Sequence, residues 1–300
     1  MTLSRNQHSI ASSCRLSGRG YWTAKEVDVV MHPAPVDSGI TLVRSDLPGH
    51  PSCRAHVSQR TDAQLRTNIA QGAAEFEMIE HLMAALYAME IDNCVVEISG
   101  QELPGLDGSS KPYIDALAGA GLVIQAGERQ RLVIDQVITL HEGSSWISAS
   151  PVVTGVSHFG YQLVFDQEGE ISNQCYGFPC TPTRFSRDVA PARTFVTERQ
   201  AQSLHARGVA RHVSYQDLLV FGQDGPIENE VRFKNECARH KALDLVGDLA
   251  LVGVELVGKF ISYRGGHRLN GRMAKALHEL AVLSQSRNRS SCFSDRRHAA

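Results

Sequence analysis

His240 and Asp244 stand four residues apart in RHKALDLVGDLAL. Residues i and i+4 share one face of a helix, so both side chains can reach a single point. Far upstream, EMIEHLMAAL places Glu80 beside His81. A third donor from His81 would complete two nitrogens and one oxygen, the ligand set of a zinc site with a fourth position left for water. Glu80, next to a ligand, would then be placed to take a proton from that water. The pattern predicts hydrolysis at a metal held by His81, His240 and Asp244. Iron can occupy the same donor set.

Each residue has a plainer reading. A His-Asp pair at i,i+4 can be a hydrogen-bonded surface pair. Its neighbours Leu243, Leu245, Val246, Leu249 and Leu251 make the helix largely apolar, and a charged pair there is costly unless paired or ligated. His81 alone reads equally well as a partly buried structural histidine. Lys241 is either solvated or a cation for charge developing on a substrate oxygen. Asp248, two turns beyond His240, is either an exposed helix aspartate or an acceptor that fixes the ring of a catalytic histidine. His267 in SYRGGHRLN follows two glycines, which allow close backbone approach to a ligand. A loop histidine there is a candidate acid for an amine leaving group. Thr194 in PARTF offers a hydroxyl or simply fills a strand.

The elements that must position these groups fall into two runs. VDVVMHPAP and GITLVRSDL read as strands, with HPAPVDSG as the turn between them. A helix is expected from about Glu77 to Met89, with Ile79, Leu82, Met83, Leu86 and Tyr87 as its apolar stripe. IDNCVVEISG is the next strand. A short helix follows, capped by Ser109 or Ser110, with Pro112 in its first turn and Gly119 and Gly121 closing it. Residues 126–130 (AGERQ) read as a linker. Strands resume in RLVIDQVITL, SSWISASPVV and YQLVFDQE, and helices in TERQAQSLHARG and from about Glu236 to Val252. VELVGKFISYRGGH is a strand and a glycine loop, GRMAKALHELAVLSQ an amphipathic helix, and 285–300 a polar tail expected to be mobile. Each half runs strands, a helix with a metal-type histidine, then a strand. That order predicts two α+β sandwich domains, 1–126 and 131–284, facing each other across a shared site.

Composition removes other classes. The chain has 300 residues, enough for about two domains. Lys plus Arg is 30 against 32 Asp plus Glu, which gives no support to nucleic-acid binding. Neither GxxxxGK[ST] nor GxGxxG occurs. The N-terminal residues lack the apolar core of a signal peptide, and no run approaches the ~18 apolar residues of a membrane span. The expectation is a cytoplasmic protein with no transmembrane segment. Seven scattered cysteines argue against a disulfide framework. Cys175 and Cys180 are the only close pair, and reduced, partly buried thiols are the default reading for them.

Taken together, the motifs carry a resemblance. The segments QHSI, GRGYWTAKEVDVVMHPAPVDSGI, IEHLMAAL, IDNCVVEISGQELPGLDGSS, PARTF, RHKALDLVGDLALVG and GGHRLN follow one another along nearly the whole chain. In this order they resemble the UDP-3-O-acyl-N-acetylglucosamine deacetylases, zinc enzymes of lipid A synthesis. The resemblance implies zinc on His81, His240 and Asp244, Glu80 as general base, and His267 as general acid or stabilising cation with Asp248 behind it. It implies that Thr194 and Lys241 contact the substrate carbonyl or oxyanion. It also implies two α+β domains of the ribosomal-protein-S5-domain-2-like type, with an acyl-chain insert at about 195–220 and Phe195 as a substrate contact. A monomer acting on UDP-3-O-acyl-N-acetylglucosamine is the expectation. The alternatives are a same-fold zinc amidase on another N-acylated amino sugar and a non-catalytic binding relative. The chain departs from the family at two places. Many members read GLHSG where it has Gly20-Tyr21-Trp22-Thr23-Ala24, and Ser-Thr-Val where it has Glu77-Met78-Ile79.

Overall fold

The computed structural model describes residues 4–164 and 171–295. Two five-stranded mixed sheets carry the architecture. The first is ordered Cys14–Arg19, Glu26–Pro33, Cys94–Ile98, Ile40–Arg44, Ser52–Arg54. The second is ordered Ile138–Glu142, Ser145–Ser150, Lys259–Tyr263, His158–Leu163, Gln174–Pro179. Both place the last strand of the sheet third in order, parallel to one neighbour and antiparallel to the other. Parallel neighbours need a long crossover, and in each half that crossover carries a helix. These are α1 (Glu80–Ala88) in the first half and α5 (Glu236–Ala250) in the second. A second helix follows the central strand in each half, α2 (Lys111–Ala120) and α6 (His267–Asp295). The shared element order is therefore also a shared sheet topology. Between the halves the sheet partner changes, since Leu122–Glu128 pairs with Asn6–Ile10 while Arg131–Val133 pairs with Glu255–Val257.

The burial pattern explains the elements. Glu26–Pro33 alternates, with Val27, Val29 and Met31 turned inward, as a half-covered strand requires. In α1 only Tyr87 escapes full burial, and α5 has one buried face against the second sheet and another against α1. Each fully buried leucine such as Leu82 or Leu86 contributes ~1.5–3 kcal/mol. Two smaller helices complete the set: α3 (Pro182–Asp188) and α4 (Glu198–Ala206). Helix α4 starts on a capping box between Thr197 and Gln200. It sits beside a small sheet of Phe195–Thr197, Leu219–Gly222 and Gly225–Pro226, which occupies the expected insert and extends past residue 220.

Four boundaries differ from the sequence reading. Helix α1 begins at Glu80, not Glu77, because Met78 has φ of 58° and the backbone of Glu77 is bound to Gln101 and Leu103. Residues 126–128 belong to a strand rather than a linker, their backbone being taken up by the N-terminal strand. His267 is the first residue of α6 rather than a loop residue. Helix α6 then runs to Asp295, past the start of the expected tail at 285, and residues 296–300 lie outside the described ones. Ser110 stands at the N-cap of α2 without capping it, since its hydroxyl donates to the His81 carbonyl at 2.8 Å.

Candidate active site

Helices α1 and α5 face each other, and the donor atoms of His81, His240 and Asp244 converge between them. All three lie within 4.8 Å of one another and all three residues are buried. His81 Nε2 is 3.7 Å from Asp244 Oδ1, and His240 Nε2 is 3.5 Å from the same oxygen. The His240 ring is held by Nδ1, which donates to the Ala192 carbonyl at 3.1 Å and leaves Nε2 as the free lone pair. Burial lowers the His81 pKa to about 3, with His240 adding to the effect, and burial lowers that of His240 as well. Both rings are therefore neutral. For Asp244 burial favours the neutral acid, but the surrounding charges, with the Lys241 ammonium and the cationic His267 among them, overcome it and hold the carboxyl far below its ordinary range. Two neutral imidazoles and an ionised carboxylate are the protonation states that metal ligation requires. The donor set fits a divalent cation, on its chemistry and its convergence.

Glu80 opens α1 beside His81. One carboxylate oxygen accepts from the Thr67 backbone N–H at 2.9 Å. Burial raises its pKa to about 7, opposed by His267 and reinforced by Asp244 and Asp248. His267 Nδ1 lies 3.0 Å from Asp248 Oδ2, and its Nε2 is 3.8 Å from Asp244 Oδ2. Burial pulls the His267 pKa down, but the charge and hydrogen bond of Asp248, with Asp244 and Glu80, push it up to about 9. The site thus holds a carboxylate raised to about neutrality and an imidazole that stays protonated there, so one can accept a proton and the other give one.

Lys241 Nζ bonds Asp244 Oδ2 at 2.8 Å. Burial would lower its pKa, yet Asp244 raises it above the usual lysine value, so the ammonium is permanent. Thr194 Oγ1 donates to Gly108 O at 3.1 Å and lies 3.2 Å from His240 Nε2. Its segment is clamped by Arg193, whose guanidinium and backbone N–H both bind the buried Glu236 carboxylate. Phe195 presents its ring at 82° to His240, centroids 6.2 Å apart. A cavity of about 110 Å³ joins these groups to an apolar wall that includes Met78, Val196, Leu204, Val213 and Leu218. A larger cavity of about 330 Å³ lies against the Met83, Leu86 and Tyr87 side of α1 and touches none of the metal donors.

The structure therefore brings together all nine residues singled out from the sequence. It adds three that sequence reasoning missed. Thr67 bonds Glu80 through its N–H and Asp248 through its hydroxyl. Asn270 Nδ2 donates to Asp248 Oδ2 at 2.9 Å. Gly247 lets α5 approach α1, because a Cβ there would lie 2.1 Å from the Glu80 carbonyl oxygen. Asn270 sits at i+3 from His267, a spacing visible only once α6 is known to begin there. Cys175 and Cys180 are free thiols away from this site, and burial raises the Cys180 pKa to about 12.

Two α+β halves with a buried His-His-Asp donor set, a raised carboxylate and a cationic histidine define a metal-dependent hydrolase. The family model for the UDP-3-O-acyl N-acetylglycosamine deacetylases matches residues 7–279, and the chain belongs to that family. Proteins named UDP-3-O-acyl-N-acetylglucosamine deacetylase from Brucella ovis and Brucella melitensis are each 38% identical to it over 273 residues, covering 90% of this chain and 94% of theirs.

Proposed function

We propose that the chain hydrolyses the N-acetyl amide of UDP-3-O-acyl-N-acetylglucosamine in lipid A biosynthesis, as a zinc enzyme. The observation that carries this reading is the placement of Glu80 and His267 beside the convergent His81, His240 and Asp244 donors. When bound by these three, zinc acts as a Lewis acid that makes water more acidic and polarises a carbonyl. Iron(II) would serve the same donors.

Glu80 takes a proton from water as its oxygen adds to the acetyl carbonyl carbon. His267, kept cationic by Asp248, gives its Nε2 proton to the departing nitrogen as the C–N bond breaks, leaving acetate and a free amine. Lys241 places a fixed positive charge at the site. The Thr194 hydroxyl adds a donor once it turns from Gly108 O. Phe195 and the apolar wall suit the acyl chain of the same substrate.

We read residues 1–126 and 131–284 as two domains, the first supplying Glu80 and His81 and the second His240, Asp244 and His267, with an acyl-chain insert at about 195–220. No helix among the described residues is long and apolar enough to cross a membrane. A cytoplasmic monomer without nucleic-acid partners is part of this proposal. The test is release of acetate from UDP-3-O-acyl-N-acetylglucosamine by the purified enzyme, by the chelated enzyme, and after one equivalent of zinc is restored. Loss on chelation and recovery with zinc are expected. A metal-loaded enzyme that leaves this substrate intact would overturn the assignment.

A further inference from the structure

The insert, residues 195–226, meets the first half of the chain at the loop of residues 20–24. This is where the sequence departs from the GLHSG of many family members, and the departure puts two aromatic rings on the cavity wall, Tyr21 and Trp22. Two hydrogen bonds join loop and insert. Tyr21 Oη donates to the Asp217 carbonyl at 2.5 Å, and His212 Nε2 donates to the Gly20 carbonyl at 2.8 Å. Both acceptors are carbonyls, so the His212 Nε2 position carries the hydrogen.

The loop is a firm anchor. The buried Glu102 carboxylate accepts from the N–H groups of Trp22 and Thr23 at 2.8 Å each and from the Thr23 hydroxyl at 2.7 Å. Gly105 makes room for the tyrosine, since a Cβ there would lie 2.0 Å from the Tyr21 ring. The Tyr21 ring then packs with Met78, Leu218 and Val220 in a small apolar cluster separate from the main core. Helix α4 buries none of its own residues, whereas the insert's strand Leu219–Gly222 is buried, so the loop contacts add to that strand in holding the insert.

We propose that Tyr21 and His212 form a clasp that fixes the insert against the first half and thereby sets which acyl chains the cavity retains. This rests on the deacetylase reading above. Tyr21 and His212 act as positioning residues, through the wall they hold. A wall held in place discriminates chain length by ~10-fold or more per methylene, whereas a wall free to move adapts to its occupant.

The test compares the full-length wild type with Tyr21→Phe, His212→Ala and His212→Gln. Tyr21→Phe keeps the ring and removes the donor, and glutamine restores a donor at position 212. Each is assayed on UDP-3-O-acyl-N-acetylglucosamines of graded acyl length, and hydrogen exchange is followed across residues 195–226. For Tyr21→Phe and His212→Ala, the contrast in kcat/KM between the best chain and one a few methylenes longer should fall by about 5–10-fold. The change should lie in KM rather than kcat, with faster exchange in the insert, and His212→Gln should recover the wild-type profile. An unaltered length profile, or unaltered exchange, in both donor-deleting variants would overturn the clasp. A wild type that hydrolyses none of the series would defeat the deacetylase reading instead, and the exchange data would still show whether the clasp holds the insert.

Discussion

Gly247 packs its α-carbon against the carbonyl oxygen of Glu80, where a Cβ would stand only 2.1 Å away. The contact lies between α1, which carries Glu80 and His81, and α5, which carries Asp244 three residues before the glycine and Asp248 one residue after it. The separation of Glu80 and His81 from Asp244 and Asp248 is therefore set by a residue with no side chain. Gly247→Ala should force the helices apart, because neither backbone can yield. We expect a loss of about 1–3 kcal/mol in stability and a larger proportional loss of activity. Thermal melting and turnover measured together check this, and a variant that keeps both would show that the helices separate freely.

Much of this site was legible because its residues are packed into short motifs on single helices. His240, Asp244 and Asp248 share a face by spacing alone, and Glu80 and His81 adjoin. The meeting of α1 with α5 was not legible, since it depends on two crossovers in separate halves. Nor was Thr67, whose type carries no chemical signal and whose contacts reach residues 13 and 181 positions away. The start of α1 failed for a related reason. Helical periodicity extends back to Glu77, but tertiary hydrogen bonds to Gln101 and Leu103 hold that stretch out of the helix.

Glu80→Ala should bind metal and lose turnover. The carboxylate is adjacent to the donors but absent from the convergent set, so its removal leaves His81, His240 and Asp244 in place. The expected loss in kcat is ~10²–10⁴-fold. Metal analysis beside steady-state kinetics decides it. Near-wild-type kcat would remove Glu80 from the base role, and loss of metal would make it a ligand instead.

The pH profile follows from the two shifted groups. On the proposed mechanism, activity requires Glu80 ionised and His267 protonated. Glu80 has its pKa raised to about 7, chiefly by burial, so the rate should rise as pH passes through that value. His267 resists burial through Asp248 and has its pKa raised to about 9, so the rate should fall as pH passes through that value. A dication on the three donors lowers both limbs without changing their order. Asp248→Asn removes the charge that raises His267, so the upper limb should move to lower pH while the lower limb moves less. An upper limb that stays where it is would break the pairing of Asp248 with His267.

Chelation should lower the melting temperature as well as abolish turnover. Asp244 is a buried carboxylate with one lysine partner, and metal bound to the folded state alone stabilises it by mass action. Restoring one zinc equivalent should return the original transition. His240→Ala should weaken metal binding and make the melting temperature insensitive to chelator. A melting curve unmoved by chelation of the wild type would mean that the three donors hold no metal in solution.

Thr67 links Glu80 to Asp248, the partner of His267, from a single position. Its N–H fixes one Glu80 oxygen, and its hydroxyl donates to Asp248 Oδ1, whose other oxygen faces His267 Nδ1. Asn270 holds Asp248 from the far side. Thr67→Val preserves shape and backbone, so the Glu80 contact stays while Asp248 loses a donor and can rotate away from His267. Outer partners of this kind are worth ~10–100-fold in activity. The loss should fall on kcat, with KM little altered, because no substrate contact is removed. Thr67→Ser returns the hydroxyl and should recover most of kcat, although it lacks the methyl group. If serine fails to rescue, or if the loss lies in KM, the threonine is needed for packing rather than for orienting Asp248.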